Sequence, residues 1–103
     1  MGHLMIMKQR KLVTIVIEAA LARRLEGDLR ACGAKGFTST LAHGTGPRDQ
    51  RASDVDGGNV RVESVVSNDV LEVILEKLDK DYFPFYALSC WVSQVEVVRD
   101  ERY

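Results

Sequence analysis

The densest concentration of residues able to do chemistry is Gly44-Thr45-Gly46-Pro47-Arg48, with Arg51 close behind. Glycines let successive backbone N–H groups turn toward one point and let a ligand approach the main chain. Two guanidinium groups at this spacing can reach one phosphate chain, and each offers a planar fork that matches phosphate oxygens in pairs. The chemistry suggested is therefore capture of a phosphorylated ligand. The GK[ST] ending of a Walker loop is missing. A charged hairpin loop with no ligand would have the same composition, so the motif is not specific by itself.

Other reactive residues have plainer readings. His43 closes a strand pattern with no partner in sequence, which favours a structural role over metal ligation or base catalysis. Asp54 and Asp56 are possible magnesium ligands, but Asp56-Gly57-Gly58 is first a turn signal. Ser53 is a lone loop serine. Cys32 and Cys90 form no CxxC pair and have no histidine at metal-ligand spacing; sequence leaves a disulfide between them open, but each sits in an apolar pattern, as small hydrophobes do in a reducing, cytoplasmic compartment. There is no nucleophile elbow, no Cys/His pairing and no carboxylate pair in an apolar frame. The expectation is a binding protein, not an enzyme, with no metal.

The elements that must position the glycine-arginine loop follow from periodicity. Lys11–Glu18 is rich in β-branched residues, with apolar side chains on both parities, and reads as a central strand. From Ala19 the period changes: Leu21, Leu25, Leu29 and Cys32 fall at helical spacing, and Gly33 suits the position just past a helix end. Gly27 inside that helix would be explained by a close approach to the sheet. Residues 36–43 read as a second strand, with Phe37, Ser39 and Leu41 on one parity. Residues 44–58 carry no apolar periodicity and read as a long functional loop. Asn59–Val66 is a third strand. Asn68 is the expected N-cap of a second helix whose stripe is Val70, Leu71, Ile74, Leu75 and Leu78. Pro84 breaks the helical pattern in Phe83-Pro84-Phe85-Tyr86, and 87–98 is a final strand or strand pair. Trp91 reads as core or interface packing, and Tyr86 as a packing residue or one that stacks on a base.

The order is β-α-β-loop-β-α-β, which predicts an α+β, ferredoxin-like sheet with both helices on one face. Apolar residues on both strand parities imply that the second face is also covered, most simply by other copies of the chain.

Composition bounds the answer. A chain of 103 residues fits one domain, expected over 8–103, with residues 1–7 set aside because Gly2-His3 among three methionines resembles a cloning extension. Hydrophobic residues at 46% and charged residues at 28% argue against disorder. A net charge of -1 argues against a nucleic-acid partner. No apolar run approaches the roughly 18–20 residues that span a bilayer, so no membrane insertion is expected.

Taken together, KLVTIVIE, ACGAKGFT, HGTGPRDQR, NVRVE and YALSCWVSQVEVV resemble the PII-like proteins, over roughly residues 11–98, and most of all the branch linked to bicarbonate transporters and carboxysomes. The resemblance implies a ferredoxin-like homotrimer that signals by binding adenine nucleotides between subunits: AMP or ADP, with cyclic AMP or ATP as further ligands. It implies that the 44–58 segment is the T-loop, which touches a protein partner such as a bicarbonate transporter or a carboxysome component. It also implies a site in which Gly44, Gly46, Arg48 and Arg51 meet phosphates while Tyr86, Ala87 and Leu88 meet the adenine through the main chain, with bicarbonate near the phosphates. The loop has no tyrosine, so the uridylylation of nitrogen-signalling PII proteins is not implied. Their glutamine-containing loop base and their Gly/Lys phosphate pattern are also missing, which favours short-phosphate ligands. Arg99 and Arg102 would act as a shortened C-terminal loop. Two other readings remain. One is a phosphohydrolase acting on nucleotides or acyl phosphates: Arg48 and Asn59 are similar to the Arg/Asn pair of acylphosphatases, but there the arginine follows the first strand, where Glu18 here leads straight into a helix. The other is a metal-tolerance-type structural trimer with an empty cleft.

Overall fold

The structure, a computed structural model, describes residues 6–43 and 58–103. Four strands form one antiparallel sheet in the order β2-β3-β1-β4, with β1 Lys8–Glu18, β2 Thr38–Ala42, β3 Asn59–Val66 and β4 Ser89–Val97. Helix α1 (Ala19–Cys32) follows β1 and α2 (Asn68–Asp81) follows β3. This is the ferredoxin-like α+β arrangement that the element order predicts. Strand β1 is central, as its two-sided apolar pattern requires, and it begins at Lys8, earlier than periodicity alone suggests.

The core lies between one sheet face and the two helices. Val13, Ile15 and Ile17 of β1 and Val62 and Val66 of β3 meet Leu25 and Leu29 of α1 and Ile74 and Leu78 of α2. Strand alternation puts the even-numbered residues of β1 on the opposite face. There Leu12 stands opposite Val65 and Ser93, Thr14 opposite Glu63 and Trp91, and Val16 opposite Arg61 and Ser89. Among the described residues, no helix covers this second face. Even so, Thr14 is fully buried and donates to Glu63 Oε2 at 2.8 Å; Arg61 donates to the same oxygen at 3.3 Å and lies over the Trp91 ring. Trp91 is half exposed and belongs to this open face, not to the core.

Local chemistry sets the helix ends. Gly33 closes α1 at φ 113°, a region an L side chain avoids, and a Cβ there would meet Val70 at 3.2 Å. The cap of α2 is Ser67, not Asn68: the Ser67 hydroxyl accepts from Val70 N at 3.3 Å, and Asn68 is already helical. The cap needs extended backbone, which Ser67 has at φ -73°, ψ 166°. Gly27 differs from expectation too. Nothing lies within 4 Å of a Cβ built there, so no close helix-to-sheet approach demands it. Leu75 and Leu41 are exposed, so the apolar stripe of α2 is narrower than its spacing suggests and β2 is an edge strand with an open flank. Both cysteines are free thiols at the edge of the core, and burial pushes both upward in pKa.

Candidate functional site

The sheet register brings the two residues that flank 44–57 and the chain that enters β4 to one end of the molecule. Ala42 at the end of β2 pairs with Asn59 at the start of β3, and Asn59 pairs with Glu18 at the end of β1. Ser89, the first residue of β4, pairs with Val16 of the same strand. The chain that leaves β2, the chain that enters β3, the start of α1 and the chain that enters β4 therefore all lie at this end. Gly44, Gly46, Arg48 and Arg51 belong to 44–57, outside the described residues, so their geometry is not assigned. The mouth of that segment is defined. Gly58 has φ 66°, the left-handed region that glycine tolerates, and its carbonyl oxygen accepts from Ala19 N at 2.8 Å.

Tyr86, Ala87 and Leu88 lie just ahead of β4, which starts at Ser89; the expected strand start at residue 87 is two residues early. They end a compact turn after α2, in which Tyr82 N and Phe83 N donate to Leu78 O, and Phe85 N and Tyr86 N donate to Tyr82 O. Pro84 sits where its missing N–H costs no bond in this turn. Tyr86 and Leu88 pack against the core edge, while Phe83 and Phe85 are exposed.

Helix α1 grips this turn, a feature that no sequence pattern marks. Arg24 Nη1 donates to Tyr86 Oη at 2.9 Å, and its guanidinium lies 5.0 Å from the Tyr82 ring centre and 5.6 Å from that of Tyr86. One helical turn further on, Asp28 Oδ2 accepts from the buried Tyr82 hydroxyl at 2.5 Å. The bond to Tyr86 holds the Arg24 guanidinium above its ordinary pKa, against some desolvation. Burial, then the bond to Asp28, drives Tyr82 far above the usual phenol range. The spacing of Arg24 and Asp28 on one helix face was readable. Their partners, 62 and 54 residues away, were not.

A concave feature lies at the opposite end of the sheet. Glu96, Val97, Val98, Arg99, Arg102 and Tyr103 line a shallow cleft of about 370 Å³, formed by the end of β4 and a 3-10 turn, Asp100–Arg102. Val97 pairs with Lys8, so this cleft lies almost the whole length of β1 from the loop mouth. At about 3.3 Å per residue, Lys8 and Glu18 are roughly 33 Å apart. Within one chain, Arg99 and Arg102 lie at the opposite end of the sheet from the mouth of 44–57. Among the described residues there is no cluster of histidine, cysteine or carboxylate side chains able to hold a metal. No described helix is long and apolar enough to cross a membrane.

The family model described as nitrogen regulatory protein P-II matches residues 10–102, and the chain belongs to that family. It is 42% identical to a protein of Thermus thermophilus assigned as a PII-like signalling protein, with a TM-score of 0.81 over 94% of this chain and 97% of that one. CPII of Thiomonas intermedia, a nitrogen regulatory PII-like protein solved with ADP, AMP and bicarbonate, has the same fold: TM-score 0.87 at 18% identity, over 96% and 97% of the two chains. The GlnK–ATP complex of B. subtilis superposes less closely, with a TM-score of 0.61 at 22% identity over 84% and 82%. No curated protein matches the chain significantly.

Proposed function

We propose that the protein is a nucleotide-sensing signal protein that binds AMP or ADP in clefts between the subunits of a homotrimer, in a reducing, cytoplasmic setting. The observation that carries this reading is family membership across residues 10–102. Two features of the chain support it. The open sheet face carries Leu12, Val16, Val65 and Trp91 with no described helix over them, as a face covered by other copies would. The segment with Gly44, Gly46, Arg48 and Arg51 and the turn ending in Tyr86, Ala87 and Leu88 leave the sheet at the same end, so phosphate and adenine groups can be met together. CPII has the same fold and was solved with ADP, AMP and bicarbonate, which makes these the first ligands to try.

In this reading the nucleotide phosphates neutralise Arg48 and Arg51 at the loop base. AMP, ADP and ATP place different charge there, and each biases the 44–58 segment differently toward a state that a partner reads. Bicarbonate beside the phosphates would link the signal to inorganic carbon, with a bicarbonate transporter or a carboxysome component as the partner. The protein acts by occupancy and not by catalysis.

The test is thermal stability with AMP, cyclic AMP, ADP and ATP, each with and without bicarbonate, while free phosphate is followed. A ligand at about 100 times its dissociation constant stabilises by about 2.7 kcal/mol. A nucleotide-specific rise without phosphate release is the expected result. Phosphate release would make the protein a phosphohydrolase, and no rise with any nucleotide would make it a structural trimer.

A further inference from the structure

The turn that delivers Ala87 and Leu88 is tied by its own backbone only as far as Tyr86. Among the described residues, its turn hydrogen bonds end at Tyr86 N, and the chain then runs to Ser89 without another. Phe83 and Phe85, on either side of Pro84, are exposed and anchor little. The grip comes from α1, where Arg24 donates to Tyr86 Oη and lies over both tyrosine rings. The first residue of the same helix is tied to the loop mouth, through Ala19 N donating to Gly58 O. Arg24 lies about 7.5 Å further along the axis. One helix thus holds the exit of the glycine-arginine segment and the turn before β4 in fixed relation.

We infer that Arg24 is a positioning residue of the nucleotide site: it acts through Tyr86 to hold the main chain of Ala87 and Leu88 in register with the loop mouth, and does not itself touch the ligand. The inference rests on the nucleotide-binding reading above. Arginine suits the task because its planar group can donate to a hydroxyl while it stacks on an aromatic face. Pre-organisation raises affinity by removing ordering costs that binding would otherwise meet, so loss of the grip reads out in the dissociation constant more than in folding. The side chain is exposed, which keeps its share of global stability small.

The experiment is calorimetric titration of ADP into the wild type, Arg24→Met, Tyr86→Phe, the double variant and Arg24→Lys, with the unliganded melting temperature of each. Arg24→Met keeps the packing stem and removes the donor. It and Tyr86→Phe should each weaken ADP about threefold to tenfold, the size of one lost hydrogen bond. The double variant should be no weaker than the poorer single variant, because the two residues act as one unit. Arg24→Lys, which keeps a donor, should recover part of the affinity. Unchanged ADP affinity in Arg24→Met overturns the inference, as does a double variant that loses the product of the two single effects. A fall in unliganded melting temperature at unchanged affinity marks a purely structural contact and also overturns it. If the wild type binds no ADP, the nucleotide reading itself fails and takes this inference with it; if the wild type binds and Arg24→Met binds equally, only the inference falls.

Discussion

Tyr82 and Asp28 meet through a 2.5 Å hydrogen bond that joins the end of α2 to the middle of α1. The phenol ring is fully buried, while the carboxylate is partly exposed. The pair ties the two helices together at the edge of the core, directly beneath the turn that leads to β4.

Tyr82→Phe keeps the ring and removes this bond. It should cost about 1.5 kcal/mol in urea denaturation, the low end for a bond to a charged acceptor, because water can replace the phenol at Asp28. The pH dependence follows from the raised Tyr82 pKa. The unfolded phenol loses its proton near pH 10, before the folded one does, so the unfolded state binds fewer protons above that point and stability falls as pH rises. The wild type should therefore lose stability above about pH 10 faster than Tyr82→Phe. Parallel alkaline limbs in the two proteins would contradict this account.

The cap of α2 separates two adjacent polar residues. Ser67→Ala should cost about 1 kcal/mol by loss of the bond to Val70 N, whereas Asn68→Ala, in the first helical turn, should change stability by only a few tenths. Chemical denaturation midpoints at equal m-value decide between them.

Leu12 lies on the uncovered sheet face, opposite Val65 and Ser93. If three chains cover this face, Leu12→Glu places a carboxylate in each copy of the interface, where desolvation disfavours it. Light scattering should give three chains per particle for the wild type and one for the variant, with far-ultraviolet circular dichroism retained. An unchanged particle mass would place the interface elsewhere.

Arg48→Ala tests the loop base. It should weaken ADP tenfold or more, as loss of a charge-assisted phosphate contact does, and leave the particle mass as it was. The same affinity in wild type and variant would remove Arg48 from the site.

The fold was legible because its signals are periodic. The β-branched run of β1, the leucine spacing of α1 and the Gly33 stop each state a local preference that the packed structure honours. The misreadings occurred where tertiary context decides. Ser67 and Asn68 are both good caps by residue type, and only the extended backbone at Ser67 chooses between them. Leu41 and Leu75 obey the apolar spacing but lie beyond the reach of the opposing layer. The Arg24–Tyr86 and Asp28–Tyr82 contacts were invisible because they join residues distant in sequence, with nothing periodic to mark them. The separation of Arg99 and Arg102 from the loop mouth became plain only with the strand register, since one sequence segment can lead to either end of a sheet.

The Ala42–Asn59 pair and the Ala19–Gly58 bond together form a closed collar. Everything between its two sides is spliced into a junction that the sheet and helix hold shut. For a flexible bridge, the entropy of closing such a junction grows only logarithmically, about 0.6 kcal/mol per doubling of length. Variation can rewrite the insert and leave the scaffold untouched. The same socket would accept a reporter peptide placed after Arg51 and before Gly58, which keeps the glycines and arginines of the loop base and makes the chain a ready chassis for an engineered biosensor.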